Sequence, residues 1–381
     1  MKANEVLIRY GEIFLKSEPV RKIFEKKLAD NIKHALKRGK IKFTLRRERG
    51  RIFVETGVDK ACEDLQKVLG IVSVSPCYHL KTARLEEIRK FCEKNYEDWI
   101  KPRQSFAVRA RRIGKHPYTS RDLENEIGKV IERKVKLENP DVTISVEIRD
   151  RETYISTKTV KCFGGLPVST SGKVVALLSG GIDSPVASFL AMKRGCKAVF
   201  VHFHSFPLVS KRSIEKVKEL VKVLNMYQFR SVVYLVPFQE IQMAIKASIE
   251  PKYRIILYRR MMFRIAEEVA KVENAKALVT GESLAQVSSQ TLTNMATIEE
   301  ATALPVLRPL VGMDKNEIVE MAKKIGTYEI SIKPQEDCCT LFVPKHPATK
   351  SNPEAVKKLE KKLKVREMVK KAVKEAERIK I

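Results

Sequence analysis

At 381 residues, with 44% hydrophobic and 31% charged positions, the chain is too long for one core and too apolar to be disordered. A formal net charge of +28, spread along the chain rather than gathered in one tail, points to a polyanion lying across several domains, nucleic acid first, with a lysine-rich thermophile surface as the competing account. No apolar run reaches membrane-spanning length, the opening residues lack a signal core, and seven cysteines without a C-x-x-C spacing suggest neither a disulfide framework nor a zinc ribbon, so no membrane partner and a cytoplasmic protein are expected.

Residues 3–8 predict a strand, 20–36 a basic amphipathic helix, and 41–45 with 51–55 two strands joined by the charged turn 46–50. This is a small α+β unit, taken as a first domain over 1–57. A second α+β unit, over 58–165, reads as helix 57–69, strand 71–78, helix 85–100, strand 105–111, helix 123–135 and a hairpin of 142–148 with 152–157. Strand 105–111 alternates Phe106 and Val108 with Arg109 and Arg111, then runs into Arg112, Lys115 and His116 beside Tyr118. Cations on one face suit phosphate contacts, and a neighbouring aromatic suits stacking on an unpaired base. A solvated edge strand with no partner is the plain alternative.

A glycine- and serine-rich stretch over 162–172 marks a linker. Beyond it strand and helix alternate: strand 174–178, helix 185–193, strand 198–203, helix 213–224, strand 231–236, helix 241–246, long helix 252–272 and strand 277–280. The alternation predicts a doubly wound parallel sheet over 166–350, with ligands outside the carboxyl ends of its strands. From Asn352-Pro353 the tail, 351–381, reads as a basic helix whose apolar stripe, Val356, Leu359 and Leu363, packs on its own domain, with a contact to RNA as the competing account.

The junction of the first of these strands with its helix spells Ser179-Gly180-Gly181-Ile182-Asp183-Ser184. Free N–H groups and the dipole at a helix start favour polyphosphate, and two glycines allow close approach. Ser179 and Ser184 add hydroxyls, while Asp183 suits a Mg²⁺ that neutralises the phosphates. The chain has no G-x-x-x-x-G-K-[ST], so the lysine-bearing loop of γ-phosphate-cleaving enzymes is absent. The string resembles that of the N-type ATP pyrophosphatases, which cleave ATP between the α- and β-phosphates and adenylate a substrate oxygen.

FAVRARRIGKHPYTSRDLENEIGKVI followed by NPDVTISVEIRDRETYIS resembles the THUMP domain of RNA-modifying enzymes. Together with LPVSTSGKVVALLSGGIDSPVASFLAMKRG, this extends the resemblance to the tRNA 4-thiouridine synthetases, from an N-terminal ferredoxin-like unit to about residue 347. The resemblance implies an ATP-dependent tRNA sulfurtransferase acting on uridine-8, a THUMP domain gripping the acceptor end of tRNA, a homodimer, and a cysteine desulfurase or other persulfide or sulfide donor as partner. It assigns adenine contacts to Leu177, Leu178, His202 and Phe203, and nucleotide contacts to Gly281 and Gln290. Of Arg259 and Arg260, adjacent in the long apolar helix, it favours Arg259 as a phosphate partner. Lys315, at a helix start, takes the role of stabilising the adenylating transition state.

The family's persulfide cysteine falls in the segment holding Cys338 and Cys339, and the choice between them stays open. Adjacent Cα atoms lie about 3.8 Å apart, below the usual disulfide span of about 4.4–6.8 Å, so a bridge between them is strained and easily reduced, as a transient catalytic disulfide should be. Many family members carry a C-terminal rhodanese-like domain with a second catalytic cysteine; here a short basic helix is expected instead, which leaves the sulfur donor and any part in thiamine synthesis open. Two other readings compete: an ATP pyrophosphatase acting on a different RNA base, and an RNA-binding scaffold that only senses ATP. Asp183 and both loop glycines argue against the scaffold.

Overall fold

The computed structural model describes residues 3–48, 50–334 and 347–381; Cys338 and Cys339 lie outside them. The chain divides into two compact units, Met1–Pro167 and Val168–Ile381.

The first unit is α+β. Its strands are β1 (Glu5–Tyr10), β2 (Thr44–Glu48), β3 (Arg51–Glu55), β4 (Ile71–Leu80), β5 (Ser105–Ile113), β6 (Lys134–Val135), β7 (Val142–Arg149), β8 (Glu152–Ser156) and β9 (Val160–Lys161). They form one sheet in the order β2-β3-β1-β4-β8-β7-β5-β6, with β9 pairing β4. The ten-residue β4 joins two halves: Leu7 faces Ser75 across β1, while Tyr78 faces Ile155 across β8. Alternating side chains send Leu7, Phe53, Cys77 and Tyr154 into one small core, and Phe106, Val108, Ile144 and Val146 into another beneath Leu123 and Ile127. Charged groups tie the two halves as well. Arg51 meets buried Glu147 at 2.9 Å, Arg149 meets Glu48 at 3.0 Å and Arg46 meets Glu152 at 3.1 Å.

Two expectations shift here. The strand expected at 41–45 runs from Thr44 to Glu48, because Arg46 and Glu48 enter the ladder opposite Phe53 and Arg51 instead of forming a turn. The helix expected at 123–135 runs from Ser120 to Lys129, opened by a capping box between Thr119 and Asp122. It stops short because Lys134 and Val135 pair in parallel with Ser105 and Phe106.

The second unit is α/β. Strands β10 (Lys173–Leu177), β11 (Lys197–His204), β12 (Val232–Pro237), β13 (Leu278–Val279), β14 (Val306–Leu307) and β15 (Glu377–Lys380) lie in the order β14-β13-β10-β11-β12-β15. All are parallel except β15, which runs antiparallel to β12 with Leu235 opposite Glu377. The long helix Arg254–Glu273 packs Leu257, Met261 and Ile265 against Val175, Val199 and Val201, and Val356, Val369 and Ala372 of the tail join the same core. The tail thus differs from the single helix expected: helices Pro353–Glu360 and Val365–Glu375 lead into an edge strand. Among the described residues no helix is long and apolar enough to cross a membrane.

Candidate active site

Sheet order reverses at β10: the chain moves outward through β11 and β12, then returns to lay β13 and β14 on the other side. Such a switch point leaves a crevice beyond the strand ends. A cavity of about 220 Å³ opens there, and Leu177, Leu178, Ser179, Gly181, Asp183, Ser184, His202, Phe203, Arg259, Gly281 and Gln290 all line it. Gly180 is outside its wall, although it belongs to the same loop.

The loop is held in shape largely by itself. Ser184 Oγ accepts from Ser179 N at 2.8 Å and lies 3.0 Å from Ser179 Oγ, which accepts from Gly181 N at 3.3 Å. Gly281, from the loop after β13, closes one side so tightly that a Cβ there would lie 2.7 Å from Ser184 N and 2.8 Å from Ser184 Cα. That spacing explains the glycine without invoking a ligand: no side chain fits between the two loops.

At the mouth, Asp183 begins the helix Asp183–Lys193, and Lys315 begins the helix Lys315–Ile325 behind a capping box of Asp314 and Glu317. A lysine in the first turn opposes the helix dipole, so its placement needs a local partner. Lys315 Nζ finds one in Asp183 Oδ1 at 2.6 Å, and Gln286 Nε2 donates to Asp183 Oδ2 at 3.1 Å.

Deeper in, Glu282 is 1% exposed and holds three groups: Arg259 at 2.5 Å, Arg308 at 2.8 Å and the Thr280 hydroxyl at 2.9 Å. A buried carboxylate persists only when so compensated, and the pairing fixes where Arg259 points. Its neighbour Arg260 turns away, donating to Glu360 of the tail at 2.8 and 2.9 Å. Burial raises the Glu360 carboxyl, but hydrogen bonds from Arg260 and Arg264 outweigh it and hold the group below its usual range. One of two adjacent arginines therefore serves the cavity and the other anchors the tail.

His202, 3% exposed, donates from Nδ1 to the Leu178 carbonyl at 2.9 Å, which ties β11 to the end of β10 and suits a binding role better than proton transfer. Burial, with the neighbouring His202, pushes the His204 imidazole down to about 4. Gln290 Oε1 is buried in the wall with no hydrogen-bond partner among the described residues, an acceptor left for a molecule that fills the cavity to satisfy. Glu282, Arg308 and Gln286 are not singled out by the sequence; a Gly-Glu-Ser string at a strand end marks Glu282 alone.

In the first unit, Arg109, Arg111 and Lys115 are exposed while Arg112 and His116 are half-buried. Arg109 also donates to the Leu137 carbonyl at 2.5 Å. Tyr118 corrects the expectation of a stacking platform. Its ring is 9% exposed within the core, its hydroxyl donates to the Ala83 carbonyl, and Arg112 and His116 pack against it. Core burial and the covering Arg112 and His116 leave the ring no face for a base.

Family models described as thiamine biosynthesis protein (ThiI), ThiI ferredoxin-like domain and THUMP domain match residues 169–365, 5–75 and 82–158. A probable tRNA sulfurtransferase of Moorella thermoacetica is 46% identical over 96% of this chain and 95% of its own. Another, of Halothermothrix orenii, is 44% identical over 94% and 93%. Among solved structures, a 4-thiouridine synthetase–RNA complex with bound ATP is similar with a TM-score of 0.89 at 38% identity, covering 100% of both chains. A protein of Pyrococcus horikoshii follows with a TM-score of 0.66 at 28% identity, over 85% of this chain and 99% of that one.

Proposed function

The chain belongs to the ThiI family, and on that premise we propose that it is an ATP-dependent tRNA sulfurtransferase that converts uridine-8 of tRNA to 4-thiouridine. The observation that carries the reading is the crevice at the switch point, where a self-braced phosphate loop, the Asp183–Lys315 pair and a directed arginine converge.

ATP enters with adenine against Leu177, Leu178, His202 and Phe203, where the buried Gln290 Oε1 offers an acceptor to an N–H of the nucleotide. Ser179, Gly181 and Ser184 face the pyrophosphate, and Arg259, held by Glu282, adds a cation to the same cavity. The carbonyl O4 of uridine attacks the α-phosphorus, pyrophosphate leaves, and Lys315 offsets the charge that develops. The terminal sulfur of a persulfide on Cys338 or Cys339 attacks C4, and AMP departs. The neighbouring thiolate then attacks the carrier sulfur, freeing the 4-thio group and forming a Cys338–Cys339 disulfide that an external thiol reduces.

Mg²⁺ fits this site as a companion of the nucleotide. The described residues hold no cluster of three or more metal-binding side chains, whereas Mg²⁺ commonly takes one or two carboxylates plus phosphates, and Asp183 supplies the carboxylate. It would neutralise phosphate charge there.

The same reading divides the chain into a ferredoxin-like domain (1–57), a THUMP domain (58–165), an adenylating and thiolating domain (166–350) and the tail. The THUMP domain grips the acceptor end through Arg109, Arg111, Arg112, Lys115 and His116. Uridine-8 lies away from that end, which supports a homodimer sharing its substrate across subunits, in the cytoplasm, with a cysteine desulfurase or another persulfide or sulfide donor. Nucleoside mass spectrometry of an unmodified tRNA transcript, incubated with protein, Mg²⁺-ATP and a cysteine desulfurase with cysteine as persulfide source, tests the reading. ATP-dependent 4-thiouridine is expected; a different modified base, or none with tRNA still bound, refutes it.

A further inference from the structure

The mechanism uses the cysteine pair but not the chain that leads into it. Lys216, on the helix Arg212–Gln228, is 6% exposed, and its ammonium donates to the carbonyls of Ser331 at 2.8 Å and Lys333 at 2.7 Å. Removing an ammonium from water is costly, and an apolar side chain would fill a buried helix position without that cost. The charge is used to hold two carbonyls of one turn, those on either side of Ile332. The same turn is tied to the phosphate loop, because Ser331 Oγ donates to the Gly181 carbonyl at 3.2 Å.

Two further bonds from the same helix secure this stretch. Tyr227 donates to the Ile325 carbonyl at 3.1 Å, and Glu219 pairs with Lys333 Nζ at 2.6 Å. Helix 212–228 therefore fastens the chain between Ile325 and Lys333, and Cys338 follows five residues after Lys333 in the sequence. None of Lys216, Ser331 and Lys333 lines the nucleotide cavity.

We propose that Lys216 is a positioning residue for the sulfur step. It fixes the carbonyls of Ser331 and Lys333 and, through Ser331, registers against the phosphate loop the turn from which the chain continues toward the cysteine pair; the rate of sulfur transfer depends on that register. The proposal rests on the reading of Cys338 or Cys339 as the sulfur carrier. It separates two functions that share one unit: binding and adenylation belong to the cavity, and delivery of sulfur depends on the brace beside it.

The test uses the full chain as wild type, Lys216→Met, Lys216→Arg and Ser331→Ala. Each is given Mg²⁺-ATP, an unmodified tRNA transcript, and a cysteine desulfurase with cysteine as persulfide source. Pyrophosphate and 4-thiouridine are measured in the same reaction. In Lys216→Met the yield of 4-thiouridine per pyrophosphate is expected to fall at least about tenfold, the scale on which misplacement of a reacting group acts, while the KM for ATP stays within about twofold of wild type. Lys216→Arg, which keeps the cation, recovers part of the loss, and Ser331→Ala shows a smaller fall of the same ratio.

An unchanged ratio in both Lys216→Met and Ser331→Ala overturns the proposal. So does a parallel loss of both products together with a lowered melting temperature in both variants, since that marks a residue needed only for folding. Failure of the underlying reading shows itself separately. If Cys338→Ser and Cys339→Ser single variants both thiolate at the full rate, the persulfide carrier is lost, and this proposal with it, with Lys216 untouched.

Discussion

The candidate ATP cavity and the basic strand β5 are both assigned to phosphate, yet they are built in opposite ways. At the cavity, buried Glu282 holds half-buried Arg259 and Arg308, and Gly281 packs against the backbone of Ser184, so each group fixes the position of its neighbour. Along β5, Arg109 and Arg111 stand exposed, and each contributes charge largely on its own. The lesson is that one region concentrates its free energy in a few interdependent groups, while the other spreads it over many replaceable ones. Substitution should therefore be severe and local in the first, mild and salt-dependent in the second.

The severest test of the interdependence is Glu282→Ala, which leaves two arginines facing each other without their shared carboxylate. It should lower the stability of the second unit by about 3–5 kcal/mol, read by denaturant unfolding, because one partner of a buried ion pair is removed. A loss below about 1 kcal/mol, the scale of an exposed pair, would break the contrast. Next, Lys315→Ala should cost about 10²–10³-fold in kcat at saturating ATP, the scale for loss of one transition-state donor, with tRNA affinity unchanged.

Gly281→Ala is gentler. Its Cβ drives into the backbone of Ser184, and the loop must shift at a cost of about 1–3 kcal/mol, read as a KM for ATP raised roughly tenfold or more. Smallest is Arg111→Ala, which should weaken tRNA binding only a few-fold and reduce the salt slope of log Kd by about 1, in a filter-binding titration over a range of salt. A hundredfold loss there would place Arg111 among interlocked groups and remove the distinction.

The phosphate loop was legible because strand, loop and helix are contiguous, so six residues carry the whole signal. The doubly wound sheet was legible for a related reason, since each strand and its following helix announce themselves locally. What could not be read was pairing at a distance. Glu282 meets Arg259 and Arg308 across 23 and 26 residues, and Gln286 reaches Asp183 across 103. None of these contacts leaves a periodic trace.

Strand β15 was hidden for the same reason. Its residues, Glu-Arg-Ile-Lys, have one apolar member, and they become a strand by pairing with β12. Tyr118 misleads in the opposite direction: its cationic neighbours suggest an exposed face, but the ring lies in the core with Leu123 and Ile127. Arg259, Gly281, Gln290 and Lys315 took their assigned roles from family resemblance, because isolated residues at strand and helix ends have no signature of their own.

The central claim is that ATP chemistry and the grip on RNA reside in separate units, and comparison of Asp183→Ala with wild type on one unmodified tRNA tests it most directly. Pyrophosphate release, 4-thiouridine and tRNA affinity should be measured on the same preparations. The account predicts that both products vanish while the Kd for tRNA stays within about twofold, since Asp183 belongs to the interlocked cavity and the proposed RNA contacts are the exposed cations of the first unit. Continued 4-thiouridine formation by Asp183→Ala, or a loss of tRNA binding that accounts for the lost products, would contradict it.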